Sequence, residues 1–426
     1  MKFVLASWGS RGEVEPCAAV GRELVRRGHE VRMAVPPDLV GYASAAVPDT
    51  VGFGADLQAM MDAYRDFWTG VFHKPWRVRE MNTLLQEMWR PLNSSWLDMS
   101  RTLTSLTTDA DLLLSSNVGF EVQAADVAEY QQIPLATLHW YPMRPNGQLA
   151  PFLPAPVGRS AMAAYDWLSR GGWARKVETQ QRRELGLPKA RGPWPQRVVD
   201  RGPLEIQAYD EVCFPGLAAE WSQWTTQRPF VGALTLELQT DADEEVASWI
   251  EAGTPPIFFG FGSMPVESPA ETLAMIASAC RRLGQRALVC AGWDDFGDLA
   301  LSDHVKVVGV VNFAEVFPRC RAVVHHGGSG TTALGLRAGV PTLILSTDAN
   351  QALWGAQVKR LKVGAGRRFS ATNEDTLVAD LQTILQPHYR VRVRELAARM
   401  TKPAEGAARA ATLVEDFARS KTVPAR

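Results

Sequence analysis

The sequence has little of what marks several large classes of protein. Its 426 residues include 5 Cys, and none stands in a Cys-x-x-Cys pair, so we expect neither a disulfide framework nor a zinc site, and a reducing compartment fits best. No run of about 18 apolar residues occurs, so we expect no membrane-spanning helix. The net charge of -1 gives no bulk attraction to nucleic acid. These absences predict a soluble cytoplasmic protein.

Short apolar runs alternate with helical patterns along most of the chain, which is typical of parallel sheets with right-handed crossovers. The first run, residues 2–6, is too short for a signal-peptide core and predicts a strand. We predict further strands at 30–34, 111–115, 134–139, 204–208 and 229–232, then 256–261, 286–290, 305–308, 322–324 and 342–345. The predicted helices are 16–27, 121–130, 158–185, 269–283, 350–361 and 389–418.

The length allows two domains with substantial cores. The segment 235–246 is rich in acids and poor in core residues, and we assign it to a linker. The prediction is an α/β chain with an N-terminal domain at 1–234 and a C-terminal domain at 247–426, whose last helix packs back on the first domain. Two open parallel sheets place ligands at the carboxyl ends of their strands, in the cleft between them.

One glycine-rich stretch, residues 322–336, has the strongest signal. It opens as an apolar strand, turns at Gly327 and Gly328 and continues as a helix that begins near Ser329. Glycines let the backbone turn sharply and let a ligand come close. A helix N-terminus presents free N–H groups and a partial positive charge, which suits phosphate. The pattern favours a diphosphate site over a plain structural turn.

A second informative stretch, residues 6–16, follows the first strand. It presents the carboxylate of Glu13, which could accept the proton of a sugar or alcohol hydroxyl as that hydroxyl attacks. The alternative is helix capping, and it applies more strongly to Glu15. A dinucleotide-binding interpretation fails because the Gly-x-Gly-x-x-Gly pattern is absent and the second strand ends in Ala34-Val35-Pro36-Pro37, without an acid.

Two Asp-x-Asp patterns, Asp109/Asp111 and Asp241/Asp243, raise the alternative of a metal-dependent enzyme. One precedes a strand and the other lies in the linker, so solvated turns are the favoured interpretation. A helix N-terminus already offsets diphosphate charge, and we expect no metal and no other cofactor.

An aromatic-rich segment, residues 60–96, has two interpretations. Aromatic residues at helical spacing are usually core residues. An amphipathic lid over an apolar ligand, or a contact with a membrane surface, is the alternative. The candidates for such contacts are Trp68, Phe72, Trp76 and His139, although a core or turn role is the favoured alternative for His139.

The two stretches together resemble a known family. Gly9-Ser10-Arg11-Gly12-Glu13-Val14-Glu15-Pro16 is similar to the Gly-Ser/Thr-Arg-Gly-Asp-x-x-Pro signature of bacterial and sterol-type family-1 glycosyltransferases. Residues 324–332 are similar to their sugar-nucleotide motif, and residues 336–341 and 351–355 extend the match. The resemblance is nearest to enzymes that glycosylate glycopeptide antibiotics and mycobacterial glycopeptidolipids. It implies the GT-B fold, two Rossmann-like domains of which the first binds mainly the acceptor and the second mainly the sugar nucleotide.

The resemblance also implies roles for particular residues. Glu13 stands where relatives carry an aspartate proposed as the general base, and Ser10 lies where a hydroxyl assists it. Asn350-Gln351 stands where relatives carry an Asp-Gln pair that binds sugar hydroxyls, and Asp348 is an alternative acid. The remaining donor-binding residues that it implies are Arg11, Gly12, Gly262, Ser263, Val311 (through its backbone), His326, Gly328, Ser329, Gly330 and Thr331, and Trp293, which follows a strand, is a further candidate.

The resulting expectation is an inverting glycosyltransferase. It moves a hexose or 6-deoxyhexose from a UDP- or dTDP-sugar to a hydroxyl of a large, partly apolar acceptor, such as a glycopeptidolipid or natural product, without a metal. It would be cytoplasmic, with peripheral contact at the inner face of the membrane as an option. A sugar-nucleotide epimerase of the same fold and a non-catalytic nucleotide-sugar-binding protein are the alternatives.

Overall fold

The structure is a computed structural model, and it describes residues 1–57, 63, 67, 78–116, 120–149, 153–165, 175–192, 194–261, 268–291 and 303–422. The described chain divides into two compact units. The first contains the described residues up to Leu236 together with those from Thr401 onward. The second contains Glu237–Met400.

The first unit is built on a parallel sheet. In the described part of the chain its strands are β1 (Lys2–Ser7), β2 (Glu30–Val35), β3 (Thr50–Gly52), β4 (Leu112–Ser116), β5 (Leu135–His139) and β6 (Leu204–Gln207), in the order β3-β2-β1-β4-β5-β6. Its helices are α1 (Arg11–Arg26), α2 (Val40–Ser44), α3 (Val78–Leu106), α4 (Glu121–Gln131), α5 (Ala155–Tyr165), α6 (Arg175–Glu184), α7 (Trp194–Asp200) and α8 (Leu217–Glu220).

The second unit has the same kind of sheet. Among the described residues its strands are β7 (Ile257–Gly260), β8 (Ala287–Cys290), β9 (Val305–Val308), β10 (Ala322–His325), β11 (Thr342–Ser346) and β12 (Gly364–Arg368), in the order β12-β11-β10-β7-β8-β9. Its helices are α9 (Asp243–Glu251), α10 (Pro269–Arg282), α11 (Phe313–Val316), α12 (Ser329–Arg337), α13 (Ala349–Arg360), α14 (Glu374–Ile384) and α15 (Pro387–Ala397). The apolar runs in the sequence become strands because helices cover both faces of a parallel sheet.

The last helix, α16 (Pro403–Thr422), belongs to the first unit and packs against α1. Arg27 Nη1 donates to Glu415 Oε2 over 2.9 Å, and His29 Nε2 lies 2.6 Å from Glu415 Oε1. The chain therefore returns to its first unit after completing the second.

Helix α1 begins five residues before the predicted start at Pro16. Ser10 has an extended backbone (φ -66, ψ 172), and its carbonyl accepts from the N–H groups of Glu13 and Val14. Pro16 therefore lies inside the helix. Because proline has no N–H, the Gly12 carbonyl lacks the hydrogen-bond donor that the residue four positions later usually supplies. The early start matters because it puts Glu13 in the first helical turn.

Two other sequence-based boundaries differ from the structure. Helix α9 starts at Asp243, inside the predicted linker 235–246, because the Asp243 carboxylate accepts from Thr240 and the side chain of Val246 is buried. The predicted strand 229–232 is reduced to an isolated bridge between Phe230 and Gln207. In the described ranges no helix is long and apolar enough to cross a bilayer.

Candidate functional site

The turn after β10 requires glycine for two reasons. Gly327 has a φ of 106, a conformation that side chains rarely adopt. A Cβ on it would lie 2.7 Å from Ile344 Cγ2 and 3.1 Å from Gln351 Cβ. Its N–H donates to His325 Nδ1 over 3.0 Å, which closes the turn. The glycine therefore brings the loop against the start of α13.

Helix α12 follows at once, with Gly328 as its N-cap residue. Thr332 closes the first turn, since its N–H and its hydroxyl both donate to the Gly328 carbonyl, over 2.9 and 2.8 Å. The N–H groups of the first turn of any helix have no intrahelical acceptor. A Cβ added at Gly330 would meet nothing within 4 Å, and residues 329–331 are half-buried. The entrance of this helix has open space beside Gly330, and its free N–H groups suit an anion.

His326 lies directly beside this entrance. A Cβ on Gly328 would come within 2.7 Å of His326 Nε2, so the ring packs on the glycine. Burial lowers the pKa of His326 to about 4, although an interaction with the Gly260 backbone opposes the shift. At neutral pH the ring is therefore uncharged and offers a hydrogen bond rather than a charge.

The start of α13 is adjacent to the same turn. Gln351 Oε1 accepts from the Thr347 N–H over 2.8 Å and from the Thr347 hydroxyl over 3.0 Å, which fixes the orientation of its amide. Asn350 is exposed. Asp348 caps the helix, with Oδ1 accepting from the Gln351 N–H over 2.9 Å. Helix capping accounts for the position of Asp348 without a contact to a sugar. The structure therefore does not favour Asp348 as the acid that replaces the aspartate of the family's Asp-Gln pair.

In the first unit the structure brings Ser10 and Glu13 into contact. The Ser10 hydroxyl donates to Glu13 Oε2 over 2.6 Å, and both side chains are half-buried. The backbone carbonyl of Glu13 accepts from Ser7 Oγ over 3.0 Å and from Ser116 Oγ over 2.9 Å. The ends of β1 and β4 thus hold the backbone that carries the carboxylate.

The sequence analysis did not single out Ser7 and Ser116. Both are buried polar residues, each the last of its strand, and strand ends at the carboxyl edge of a parallel sheet converge on one place. Their position at the ends of predicted strands was the feature of the sequence that could have identified them.

Arg11 and Glu15 form a separate cluster inside the first unit. The Arg11 guanidinium lies 4.5 Å from the centroid of the Tyr42 ring, and its Nε lies 3.9 Å from Glu15 Oε2. Glu15 Oε1 accepts from the Leu236 N–H over 2.7 Å. Burial raises the pKa of Glu15, although the charge of Arg11 opposes the shift. Glu15 therefore ties the second turn of α1 to Leu236, and the expected capping role does not describe it.

The structure corrects the assignment of His139 to the acceptor-binding residues. Its side chain is 0% exposed, and Nε2 lies 2.6 Å from Glu121 Oε1. Arg144 joins the same buried group through Glu121 Oε2 at 3.2 Å and Glu205 Oε1 at 2.6 Å. His139 is part of an internal ionic network, because a buried carboxylate needs hydrogen-bonding partners.

Gly12 is exposed in the first turn of α1, and the remaining candidates divide into two sets. The side chain of Val311 is only 4% exposed in the core, so only its backbone could meet a nucleotide. Six candidates lie outside the described residues: Trp68, Phe72, Trp76, Gly262, Ser263 and Trp293.

Three of the four Asp-x-Asp acids have partners within the protein. Asp109 bonds Lys2 and Arg32, and Asp111 Oδ2 accepts from the Lys2 N–H over 2.7 Å. Asp243 accepts from Thr240 and from the Asn312 N–H over 2.8 Å. Each of these contacts supports a structural interpretation of the acids.

Comparison with known proteins matches this chain to glycosyltransferases. Residues 294–414 match the family model described as "Erythromycin biosynthesis protein CIII-like, C-terminal domain". The chain is 55% identical over 424 residues to an uncharacterized glycosyltransferase of Mycobacterium tuberculosis, an alignment that covers 98% of this chain and 99% of the relative. It is 28% identical over 412 residues to a sterol 3-beta-glucosyltransferase of Arabidopsis thaliana, covering 93% of this chain and 65% of that enzyme.

Solved structures share the fold. The calicheamicin glycosyltransferase CalG4 superimposes with a TM-score of 0.70 at 20% identity and covers 99% of both chains. The glycosyltransferase VinC, solved in complex with dTDP, gives a TM-score of 0.64 at 16% identity and covers 99% of this chain and 100% of its own. With two six-stranded parallel sheets in the described residues, the fold and the family predicted from the two sequence motifs are both confirmed, and the chain belongs to the glycosyltransferases of GT-B fold.

Proposed function

We propose that this glycosyltransferase uses a UDP- or dTDP-sugar as its donor and transfers a hexose or 6-deoxyhexose, with inversion, to a hydroxyl group. The acceptor in this proposal is large and partly apolar, a glycopeptidolipid or a related natural product. The second unit holds the donor, and the first unit supplies the base.

The entrance of α12 is the observation that carries the proposal. Three first-turn N–H groups, at residues 329–331, meet an open surface at Gly330, and the neutral ring of His326 lies beside them. As the bond between the anomeric carbon and the phosphate oxygen breaks, negative charge grows on the diphosphate. Preoriented N–H dipoles stabilise that charge without reorganising.

Glu13 has the chemistry of the base. Its carboxylate takes the proton from the acceptor hydroxyl, whose oxygen forms a bond to the anomeric carbon while the nucleoside diphosphate leaves from the opposite side. One proton moves to Glu13, one C–O bond forms and one breaks. Because the attacking and leaving oxygens are on opposite faces of the anomeric carbon, the product has the inverted configuration. The Ser10 hydroxyl orients the carboxylate through its 2.6 Å bond to Oε2.

The relatives support the donor and acceptor classes. VinC was solved with dTDP, the relative from Arabidopsis thaliana is named as a sterol glucosyltransferase, and CalG4 is a calicheamicin glycosyltransferase. Sterols and calicheamicin are large, hydroxyl-bearing and partly apolar molecules. Mycobacterial relatives at 54–55% identity make a mycobacterial type of lipid or peptide the first acceptor to test.

The proposal includes activity without a metal ion, because the helix entrance can offset diphosphate charge. We expect turnover to persist after dialysis against EDTA, measured as release of nucleoside diphosphate with and without added Mg²⁺. A strict requirement for Mg²⁺ or Mn²⁺ would contradict this part of the proposal and leave the rest standing.

The central experiment incubates the full chain with UDP-glucose or dTDP-glucose and with sterol, macrolide and glycopeptidolipid-core acceptors. We expect a glycoside whose anomeric proton shows the β coupling constant, since these donors are α-linked. A retained α linkage would overturn the inverting mechanism. Donor alone is the control: a new sugar nucleotide formed without acceptor indicates an epimerase, and binding by thermal shift without turnover on any acceptor indicates a non-catalytic binding protein.

A further inference from the structure

Most of the half-buried and buried arginines that the structure describes form ion pairs with acids. Such pairing is expected, because a guanidinium removed from water needs a carboxylate or phosphate to replace its hydration. Examples in the described structure are Arg144 and Arg228 with Glu205, Arg182 with Asp126 and Glu129, and Arg367 with Asp380.

Arg390 of the second unit, which is half-buried, departs from this rule, and two exposed arginines, Arg321 and Arg394, lie near it. Arg390 and Arg394 stand one turn apart on α15, and Arg321 precedes β10. Among the described residues none of the three forms an ion pair with a carboxylate, and Arg321 Nη1 donates only to Gln285 Oε1, over 3.2 Å. Burial lowers the pKa of Arg390, and the charges of Arg394 and Arg321 lower it further. Within the described part of the chain, no carboxylate forms an ion pair that would offset the repulsion among these three charges.

These arginines lie at the edge of the sheet opposite the donor site. Arg321 directly precedes β10, and a Cβ on Gly339 would meet Arg394 Cγ at 3.0 Å, three residues before β11 begins. Both positions belong to the amino ends of central strands, whereas Gly328 follows the carboxyl end of β10. A ligand at the arginines is therefore separate from the sugar nucleotide.

An apolar side chain adjoins them. Val391 is 56% exposed, and on a helix it projects about 100° from Arg390, on the same side as Arg394. Arg392 projects from the other side of α15. The one acid of this helix, Glu395, makes no ion pair with the arginines within the described ranges.

We propose that Arg321, Arg390, Val391 and Arg394, the basic face of α15, dock the enzyme on an anionic phospholipid surface. Guanidinium groups bind phosphodiesters through paired N–H donors, and an adjacent exposed valine enters the acyl boundary. Charge complementarity selects this occupant: the three arginines have no carboxylate partner among the described residues, and an anionic membrane supplies several negative groups at once. The enzyme would then stand at the surface where a lipid-linked acceptor resides.

The test is co-sedimentation of the full chain with vesicles of phosphatidylcholine alone or with 30% phosphatidylglycerol. We expect binding only to the anionic vesicles, weakening as salt rises from about 0.05 to 0.3 M because the charges are screened. Each arginine near an anionic surface changes partitioning roughly fivefold. The double variant Arg390→Gln/Arg394→Gln should therefore lose about 25-fold.

Arg392→Gln is the matched control, since it removes the same charge from the other side of α15. It should weaken binding no more than about twofold, because exposed charges away from the contact contribute little. Equal losses in the two variants, or no binding of the wild-type chain to anionic vesicles, would overturn the proposal. Release of the protein from vesicles by micromolar inorganic phosphate would also overturn the proposal, because the arginines would then be a binding site for a soluble anion. Melting temperatures equal to wild type show that the variants are folded.

Discussion

At the scale of single residues, Glu13 and His326 carry the chemistry that we propose. Glutamate reaches one methylene further than the aspartate of the family pattern, so the position of its carboxylate depends on where its backbone lies. Ser7 and Ser116 hold that backbone through its carbonyl, and Ser10 holds the carboxylate. The substitution is therefore compatible with a base at this position.

Replacing Glu13 tests the base directly. We expect Glu13→Gln to lower kcat by roughly 10²–10⁴-fold, because general base catalysis contributes about that much. The affinity for the sugar nucleotide, measured by calorimetry, should stay unchanged. Glu13→Asp is the control and should keep part of the turnover, since it retains a carboxylate. Wild-type turnover by Glu13→Gln would remove Glu13 from the mechanism.

His326 predicts a pH dependence of donor binding. Its pKa is about 4 in the free protein, so the ring is neutral at pH 7. A bound diphosphate favours the protonated ring and raises this pKa, so binding takes up a proton. We expect the affinity for dTDP-glucose or UDP-glucose to rise as pH falls from 7 towards 5 and to level off below about 4.

Calorimetry in buffers of different ionisation enthalpy measures the proton uptake. His326→Asn should bind the donor more weakly at pH 5 and show no uptake, because asparagine does not titrate. An affinity for the sugar nucleotide that is flat between pH 7 and 5 in the wild-type chain would show that the ring does not face the diphosphate.

At the scale of elements, the start of α12 depends on two glycines with different surroundings. A Cβ at Gly328 meets the His326 ring at 2.7 Å, whereas a Cβ at Gly330 meets nothing within 4 Å. The first glycine is required by the protein's own packing. The second leaves space that a ligand could use.

Alanine at these two positions separates packing from binding. We expect Gly328→Ala to lower the free energy of unfolding by about 1–3 kcal/mol, because overpacking displaces the ring. Gly330→Ala should keep or raise stability by about 0.5–1 kcal/mol, since alanine favours a helix interior. Urea titration measures both, and calorimetry with the donor measures affinity.

The informative comparison is donor affinity at equal stability. A loss of affinity in stable Gly330→Ala indicates that the diphosphate comes against the helix entrance. Full affinity in both variants would place the donor elsewhere and contradict the proposed site.

At the scale of the whole molecule, the last helix returns to the first unit. Glu415, whose side chain is 10% exposed, accepts one hydrogen bond from Arg27, and its Oε1 lies 2.6 Å from His29 Nε2. Burial raises its pKa, but the His29 hydrogen bond and the Arg27 charge outweigh burial, and the net pKa of Glu415 is lowered. A carboxyl of this kind stabilises the fold above its unfolded pKa, about 4.5, and the contribution is lost as pH falls through the folded pKa.

Glu415→Gln should therefore destabilise the first unit by about 1.5–3 kcal/mol at pH 7, the range for hydrogen bonds to charged groups. The difference from wild type should shrink below about pH 4.5. Thermal unfolding at pH 7 and pH 4 measures both effects. Asp416→Asn is the matched control: its pair with Arg419 is exposed, and it should change stability by less than about 0.5 kcal/mol. A loss from Glu415→Gln that is equal at both pH values would contradict the ion-pair explanation.

The sequence alone determined the elements and the family. Buried parallel strands are covered on both faces, so they appear as short continuous apolar runs, and most predicted strands lie within a residue or two of the observed ones. The glycine turn before α12 was also predictable, because its backbone conformation depends on residue type at adjacent positions. Both signals depend on residues that are close together in the sequence, so they can be recognised from the sequence alone.

The tertiary structure decided what depends on distant residues. Ser116 bonds a carbonyl 103 positions earlier, and His29 meets Glu415 across 386 positions. The sequence left His139 between a core or turn role, which was favoured, and a ligand contact, and only packing revealed its buried partner Glu121. Helix α1 starts at Arg11 rather than Pro16 because Ser10 accepts the first-turn N–H groups, which outweighs the preference of proline for a helix start. Such contacts form only when folding closes long loops of the chain. Residues so far apart in the sequence show no pattern from which their contact could be predicted.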